Sequence, residues 1–154
     1  MSFLPTGHDM EDGLSDDNRQ RYARHLVLPS VGEEGQIKLL KSSILVVGAG
    51  GLGSPAMMYL AAAGIGRIGI IDDDLVEESN LQRQIIHSTS SIGDAKAKSA
   101  AERICLLNPK IDVIPMVDRL TESNALSVIK DYDIVIDGTD NFSSRYLIGD
   151  VCDP

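Results

Sequence analysis

The sequence predicts an α/β protein in which helices cover both faces of a mainly parallel β-sheet. Short apolar segments alternate with helical patterns along most of the chain. The segment Ser43–Val47 is continuously apolar after its serine, which is typical of a strand that is covered on both faces. A glycine-rich turn follows this strand directly. Together these observations predict a doubly wound, Rossmann-like fold.

Two helices are predicted before the first strand. The first covers residues 17–28, with Asp16 or Asp17 as its N-cap, and a proline ends it. The second covers residues 31–41. The residues before them are polar and acidic and include Pro and Gly, so residues 1–16 are expected to form a flexible tail.

The alternation of strands and helices continues through the rest of the chain. The remaining predicted strands are Arg67–Ile71, 111–117 and 133–137. The remaining predicted helices are 51–63, which Gly64 ends, 94–107, a short helix up to Lys130 that Thr121 or Ser123 caps, and 141–150. Residues 17–154 are therefore expected to form one domain. No strand follows the last helix, so we expect this domain to be incomplete at its C-terminus and the chain to be the N-terminal part of a longer protein.

The composition argues against several classes of function. The net charge is −9 at pH 7, whereas a nonspecific nucleic-acid binder presents a basic face. No apolar run is long enough to cross a membrane, and the acidic N-terminus does not resemble a secretory signal. Cys105 and Cys152 form neither a disulfide framework nor a metal set, and Cys105 is expected in the core. These features predict a cytoplasmic protein and disfavour membrane or nucleic-acid partners.

Three glycines form a candidate phosphate-binding loop. Gly48, Gly50 and Gly53 give the pattern G-x-G-x-x-G between a strand and a helix. The first permits a tight turn, the second lets the backbone approach a phosphate, and the third lets the helix pack on the strand. The helix N-terminus offers free N–H groups and a partial positive charge to an anion. We therefore predict a nucleotide-binding domain; a tight turn without a ligand is the alternative.

Three aspartates follow the second predicted strand. Asp72 stands about 20 residues after the glycine loop, where an acid commonly binds the ribose hydroxyls of a nucleotide. Asp73 fits a solvated acidic turn better, and Asp74 fits either role.

The segment 80–84, Asn-Leu-Gln-Arg-Gln, favours ATP chemistry, because a hydride-transfer site has no role for it. Arg83 can hold a phosphate through two parallel hydrogen bonds. Lys96 stands at the start of a predicted helix, where a cation opposes the helix dipole unless an anion binds beside it. A surface lysine is the alternative for Lys96, and Lys98 is expected to be solvated.

The segment 137–141, Asp-Gly-Thr-Asp-Asn, follows the fourth predicted strand. Ligands of open α/β sheets bind at this edge of the sheet. A carboxylate that faces a polyphosphate suits Mg²⁺, which prefers one or two carboxylates together with phosphate oxygens. We therefore predict that Asp140 binds Mg²⁺. The alternative is that Asp140 caps the helix that begins at Asn141.

Six segments resemble the ThiF/MoeB/HesA family, the bacterial relatives of ubiquitin-activating enzymes. They are RYARHLVLP (21–29), GAGGLGSP (48–55), DDDLVEESNLQRQ (72–84), GDAKA (93–97), LNP (107–109) and DGTDNFSSRY (137–146). The resemblance implies an adenylyltransferase that uses ATP and Mg²⁺. Its substrate would be the C-terminal glycine of a ubiquitin-like sulfur-carrier protein such as MoaD or ThiS, in molybdopterin or thiamine biosynthesis, with pyrophosphate as a product.

The family pattern also implies roles for individual residues. The implied nucleotide-binding residues are Gly48, Gly50, Gly51, Gly53, Asp72, Asp74, Asn80, Arg83, Gln84 and Lys96. The implied catalytic residues are Arg24, Arg83, Lys96 and Asp140, of which Asp140 would also bind Mg²⁺. Arg24 would reach into the site of the neighbouring subunit, since the family works as a homodimer. Arg145 would form a structural ion pair.

Three alternative functions stay open on the sequence. The glycine loop and Asp72 also fit an NAD-dependent oxidoreductase. Enzymes that resemble tRNA threonylcarbamoyladenosine dehydratase share the same motifs. A noncatalytic fragment that keeps a dimer surface is the third alternative.

Overall fold

The structure, a computed structural model, describes residues 13–152 as a parallel sheet with helices on both faces. The strands are β1 (Ser43–Val47), β2 (Arg67–Ile71), β3 (Asp112–Met116) and β4 (Ile134–Asp137). They lie in the order β3-β2-β1-β4, and every neighbouring pair is parallel. The predicted doubly wound, Rossmann-like α/β fold is confirmed.

The helices fill the connections between these strands. Within the described residues the α-helices are α1 (Asp16–Arg21), α2 (Ala23–Leu26), α3 (Gly32–Lys41), α4 (Gly53–Ala63), α5 (Lys96–Leu107), α6 (Ala125–Ile129) and α7 (Phe142–Cys152). The long connection from β2 to α5 also holds two single turns of 3-10 helix, Glu78–Asn80 and Thr89–Ser91. Between residues 13 and 152, no helix has both the length and the apolar composition that crossing a membrane requires.

Strand β1 contributes to two hydrophobic cores. Ile44 and Val46 pack on one face of the sheet with side chains of α4 and α5, among them Met57 and Ile104. Leu45 and Val47 pack on the other face with side chains of α6 and α7, among them Ile148. Because successive side chains of a strand point to opposite faces, a strand covered on both faces must be apolar at every position. This explains the uninterrupted apolar run of β1.

The order of the strands determines where a ligand can bind. The chain places β2 and β3 successively to one side of β1 and then returns to place β4 on the other side. At such a reversal the connections leave β1 and β4 in opposite directions, which opens a crevice at their carboxyl ends.

The N-terminal helices differ from the prediction. The single helix predicted over residues 17–28 is wrong: α1 and α2 are separate and meet at Tyr22, which is buried. The Asn108 side-chain amide donates to the Tyr22 hydroxyl at 2.9 Å, so this contact holds the break against the core. The predicted N-cap is also wrong, because the Ser15 hydroxyl accepts the Asn18 N–H at 3.3 Å.

The predicted tail falls mostly on residues 1–12, which lie outside the described residues. Its last residues take part in the fold. Leu14 is buried, and α1 begins at Asp16.

Several other helix ends are shifted by local contacts. Helix α4 begins at Gly53 instead of residue 51, and Gly64 ends it in the left-handed conformation, as predicted. Helix α5 begins at Lys96 instead of residue 94, because Ala95 is extended and pairs with Leu75. Helix α6 follows Asn124, not a Thr121 or Ser123 cap. The prediction that Cys105 lies in the core is wrong, since its side of α5 faces solvent.

Three glycines let the glycine loop, α4 and the end of β4 touch. A Cβ on Gly53 would overlap the carbonyl oxygen of Gly48, and a Cβ on Gly138 would lie 2.8 Å from the same oxygen. Gly48 itself has a φ of 94°, a left-handed value that other residues rarely adopt. Helix α4 can therefore start directly against the loop only with glycine at these positions.

We expect the substitution Gly53→Ala to lower the free energy of unfolding by about 2 kcal/mol or more, because the new methyl group must push α4 off the Gly48 carbonyl. Urea denaturation followed by circular dichroism measures this change. Gly149→Ala in α7 is the matched control, since nothing lies within 4 Å of its Cβ position. It should raise stability by up to about 1 kcal/mol. If the urea midpoint of Gly53→Ala equalled that of the wild type, the packing argument would be contradicted.

Candidate functional site

A cavity of about 490 Å³ opens at the carboxyl end of the sheet. Its volume lies within the range of about 300–1,000 Å³ that is usual for ligand sites. The glycine loop after β1, the aspartates after β2, the loop after β3 and the loop after β4 all contribute to its walls. The cavity therefore lies in the crevice that the strand order creates.

Most of the predicted site residues meet in this cavity. Those that line it are Gly48, Gly50, Gly51, Asp72, Asp74, Arg83, Gln84, Lys96 and Asp140. Three predicted site residues do not line it. Gly53 packs behind the loop, Asn80 lies in the turn that precedes Arg83, and Arg24 is exposed on α2.

The glycine loop presents unpaired backbone donors. Within residues 13–152, no group accepts a hydrogen bond from the N–H of Gly50, Gly51 or Leu52. A Cβ on Gly50 or Gly51 would meet the protein only at ordinary contact distances of 3.5–3.6 Å, so their own packing does not demand glycine. Glycine at these two positions instead keeps side chains away from the free N–H groups, which is the form of an anion-binding site.

Ala49 is held from both sides. Asp72 accepts the Ala49 N–H through Oδ2 at 2.8 Å, and its Oδ1 accepts the Asp74 N–H at 2.8 Å. On the other side, the imidazole Nε2 of His87 lies 2.9 Å from the Ala49 carbonyl oxygen. The second residue of the glycine loop is thus tied to β2 and to the segment after Gln84.

His87 is a buried neutral histidine. Burial lowers its pKa below the ordinary value; the hydrogen bond to Ala49 and the charge of Asp72 oppose this shift, and the charge of Lys96 adds to it. His87 is not among the site residues predicted from the sequence. The signal available was its position three residues after Gln84, inside a segment rich in candidate site residues.

Lys96 is buried in the cavity wall. Only 8% of its side chain is exposed, and its ammonium lies 2.9 Å from Asp74 Oδ2, whereas 62% of the Asp74 side chain is exposed. The surface-lysine alternative is therefore wrong for Lys96, while Lys98 is exposed as predicted. A buried ammonium with a single, largely solvated carboxylate can still attract a second anion.

Arg83 and Gln84 form the wall next to the loop. The Cγ and Cδ atoms of Arg83 lie 3.5 Å from the Cβ position of Gly51, and its guanidinium donates to the Ser79 carbonyl at 3.4 Å. Gln84 is buried, and its Oε1 has no hydrogen-bond partner among the described residues. An orphaned buried polar atom calls for a bound group, and a flip of the amide would offer donors to an anion instead.

Asn80 supports this wall through the backbone. Its carbonyl oxygen accepts the N–H groups of Arg83 and Gln84 at 3.1 and 2.9 Å, and its side chain accepts the Glu77 N–H at 3.3 Å. The structure thus places Asn80 where it shapes the turn that carries Arg83 and Gln84.

The loop after β4 leaves Asp140 free. Asp137 accepts hydrogen bonds from both the N–H and the hydroxyl of Thr139, and Arg145 lies 3.8 Å from Asp137. Asn141 caps α7 by accepting the Ser144 N–H at 2.9 Å, so the alternative that Asp140 is this cap is wrong. The Asp140 carboxylate is exposed in the cavity and, within residues 13–152, accepts no hydrogen bond.

The three aspartates after β2 form a second group of carboxylates. One oxygen from each lies within 4.8 Å of the others. Each carboxylate is already engaged, since Asp73 pairs with Arg119 at 3.1 Å and the other two make the contacts described above. Asp140 is therefore better placed than these aspartates to take a cation. Arg119 itself, which the sequence analysis missed, lines the cavity from the loop after β3.

A scan against protein families matches residues 22–153 to the ThiF family. The chain belongs to the ThiF family. It is 54% identical over 151 residues to "Adenylyltransferase and sulfurtransferase MOCS3" of Arabidopsis thaliana, covering 98% of this chain and 32% of that protein. It is 55% identical over 132 residues to a "Probable molybdopterin-synthase adenylyltransferase" of Porphyra purpurea, covering 86% of this chain and 35% of that protein.

The fold of this ThiF-family chain also matches solved structures. One is the E. coli tRNA N6-threonylcarbamoyladenosine dehydratase TcdA in complex with ATP, with a TM-score of 0.81 and 36% identity. The match covers 87% of this chain and 55% of that one. The chain spans about a third of the length of the curated relatives reported above.

We expect His87 to make the free energy of unfolding depend on pH. Because its folded pKa lies below the ordinary value of 6.5, the unfolded chain binds the proton more readily. The contribution of the neutral His87 to the free energy of unfolding is therefore complete above about pH 6.5, and it decreases as the pH drops below this value. Urea unfolding at several pH values measures this effect in the wild type and in His87→Gln, which cannot take up the proton. The acid-side fall should be smaller in the variant, and equal pH dependence in the two proteins would contradict the assignment.

Proposed function

We propose that this chain provides the ATP-binding site of an adenylyltransferase that activates the C-terminal glycine of a ubiquitin-like sulfur-carrier protein. One observation carries the proposal: the unpaired N–H groups of Gly50, Gly51 and Leu52 belong to the same cavity as the cations of Arg83 and Lys96. Backbone donors together with two cations suit a triphosphate, which carries several negative charges close together.

In this proposal the cavity supplies groups for the phosphates and the ribose of ATP. Arg83, Lys96 and the loop would hold the phosphates. Asp72 would bind the ribose, since each of its oxygens accepts one hydrogen bond and keeps a further lone pair for a hydroxyl. Asp74 would share Lys96 with the phosphates.

The reaction would be a substitution at the α-phosphorus. The terminal carboxylate of the carrier attacks, a bond forms between its oxygen and phosphorus, and the bond from phosphorus to the pyrophosphate oxygen breaks. The products are an acyl adenylate and pyrophosphate. Little proton transfer is needed, so Arg83 and Lys96 would act by positioning the phosphates and by stabilising the negative charge of the leaving group.

Asp140 would hold Mg²⁺ when ATP is bound. Its carboxylate is exposed in the cavity and free of hydrogen bonds among residues 13–152, which fits a metal that takes one or two carboxylates and keeps phosphate oxygens as its other ligands. The metal supplies neutralisation of phosphate charge. We further propose a homodimer in which Arg24, exposed on α2 outside its own cavity, contributes to the partner's site.

The relatives support the choice of substrate. Proteins that are 54% and 55% identical to this chain are named for adenylyl transfer, one of them to molybdopterin synthase. A thiamine-pathway carrier is an equally suitable substrate for the chemistry described above. Two free, exposed cysteines among the described residues suit a reducing compartment, and we propose the cytoplasm.

A dehydratase acting on a tRNA nucleoside is the second candidate, because the fold matches the ATP complex of TcdA with a TM-score of 0.81. The two functions differ in their second substrate. Exchange of radiolabelled pyrophosphate into ATP that depends on an added MoaD- or ThiS-like carrier supports the first proposal. Turnover with threonylcarbamoyladenosine tRNA, without carrier-dependent exchange, would replace it with the second.

We expect Lys96→Ala to lower carrier-dependent pyrophosphate exchange by about 100-fold or more, because it removes a buried cation from the phosphate site. Lys98→Ala, two residues away on the exposed side of α5, is the matched control and should keep the wild-type rate. Comparable rates for the two variants would show that Lys96 does not contact the phosphates.

We expect Asp140→Asn to lower the exchange rate by about 100-fold and to raise the Mg²⁺ concentration needed for half-maximal rate, because a neutral amide is a weaker ligand for Mg²⁺. Asp150→Asn, an exposed carboxylate on α7 outside the cavity, is the matched control. An unchanged Mg²⁺ dependence in Asp140→Asn would rule out Asp140 as the metal ligand.

A further inference from the structure

We propose that His87 is a positioning residue for the nucleotide, which acts by orienting the Ala49–Gly50 peptide of the glycine loop. This inference rests on the proposed ATP site. His87 does not line the cavity, so it would act through the loop and not by touching the phosphates.

The His87 ring bridges two elements of the site. Its Nε2 lies 2.9 Å from the Ala49 carbonyl oxygen, and its Nδ1 lies 2.9 Å from the Ser99 hydroxyl. A carbonyl oxygen can only accept a hydrogen bond, so Nε2 carries the proton. Ser99 lies on α5, three residues after Lys96. One side chain thus connects the glycine loop to the helix that carries the buried cation.

Because the peptide bond is planar, the hydrogen bond from His87 to the Ala49 carbonyl also fixes the orientation of the Gly50 N–H. The Ala49 carbonyl and the Gly50 N–H belong to one planar trans peptide, in which the two groups point in opposite directions. Holding the carbonyl at His87 therefore directs the Gly50 N–H away from His87. That N–H is one of the unpaired donors of the loop.

Such a restraint is needed because the loop is rich in glycine. Gly48 and Gly50 flank Ala49, and glycine gives a backbone more freedom to rotate than any other residue. Asp72 restrains the peptide on the other side by accepting the Ala49 N–H. Without His87, the buried Ala49 carbonyl loses its partner and the Gly50 N–H loses its fixed direction.

The charges around the ring suit a neutral imidazole. Lys96 and Asp72 are the charged groups that act on it, with opposite signs, and Ser99 is an uncharged partner. A neutral ring can donate through Nε2 and accept from Ser99 through Nδ1 at the same time, which satisfies both of its nitrogens.

Steady-state exchange kinetics of the full chain test the proposal. His87→Phe keeps an aromatic ring at this position but removes both hydrogen bonds, and we expect it to raise the KM for ATP by about tenfold or more. His87→Gln can place its amide nitrogen near the Nε2 position, and it should restore KM to within about threefold of wild type. Tyr22→Phe is the matched control, since it also removes one buried hydrogen bond from a ring, far from the cavity. It should lower stability but leave KM unchanged.

The outcomes separate this inference from the proposed function. If the wild-type chain shows no carrier-dependent exchange and binds no ATP, the proposed function fails, whatever His87 does. If the wild type is active and His87→Phe keeps the wild-type KM, the positioning role is overturned. A similar rise in KM for Tyr22→Phe would also overturn it, since the effect would then follow from general destabilisation.

A measurement on the wild type covers the case in which His87→Phe does not fold. Nitrogen-15 NMR of the imidazole at neutral pH should show the proton on Nε2, and ATP should protect the Gly50 amide from hydrogen exchange. A proton on Nδ1, or a Gly50 amide that does not respond to ATP, would overturn the proposal.

Discussion

The contact between Gly53 and the Gly48 carbonyl is the constraint on which the rest of the site depends. No side chain fits between them, so α4 starts directly against the turn that leaves β1. Gly138 packs on the same carbonyl oxygen and brings the loop after β4 into the crevice. The contact thus places the N-terminal end of a helix and the carboxyl ends of two strands around one cavity, where a helix dipole and free N–H groups favour an anion.

The charged side chains around this loop differ in their exposure to solvent. Lys96 is buried, while its partner Asp74 is mostly exposed to solvent. Arg83 lies along the loop backbone, and His87 lies behind it as a neutral ring. The buried Lys96 ammonium therefore interacts with an anion more strongly than it would in water. In the proposed function, this arrangement would hold a nucleotide phosphate with few side chains and several backbone N–H groups.

The sequence predicted those features that depend on local pattern. Strand β1, the tight turn at Gly48, the close packing of Gly53 and the left-handed Gly64 follow from the period of the strand and from backbone sterics, and they were confirmed. The features that were missed depend on contacts between distant residues. The break in the first predicted helix lies at Tyr22, whose hydroxyl accepts a hydrogen bond from Asn108, 86 residues later. His87 is connected to the site by its hydrogen bond to the Ala49 carbonyl, and Arg119 by its hydrogen bond to Asp73. No local sequence pattern predicts either contact.

The most direct test of this account is a crystal structure of the full chain with Mg²⁺ and an ATP analogue that cannot be cleaved between the α- and β-phosphates. The account predicts phosphate oxygens within hydrogen-bond distance of the Gly50 and Gly51 N–H groups, of Arg83 and of Lys96, and a metal ion bound to Asp140. Phosphates that lie outside the cavity, or that occupy it without contacting the loop or these two cations, would contradict it.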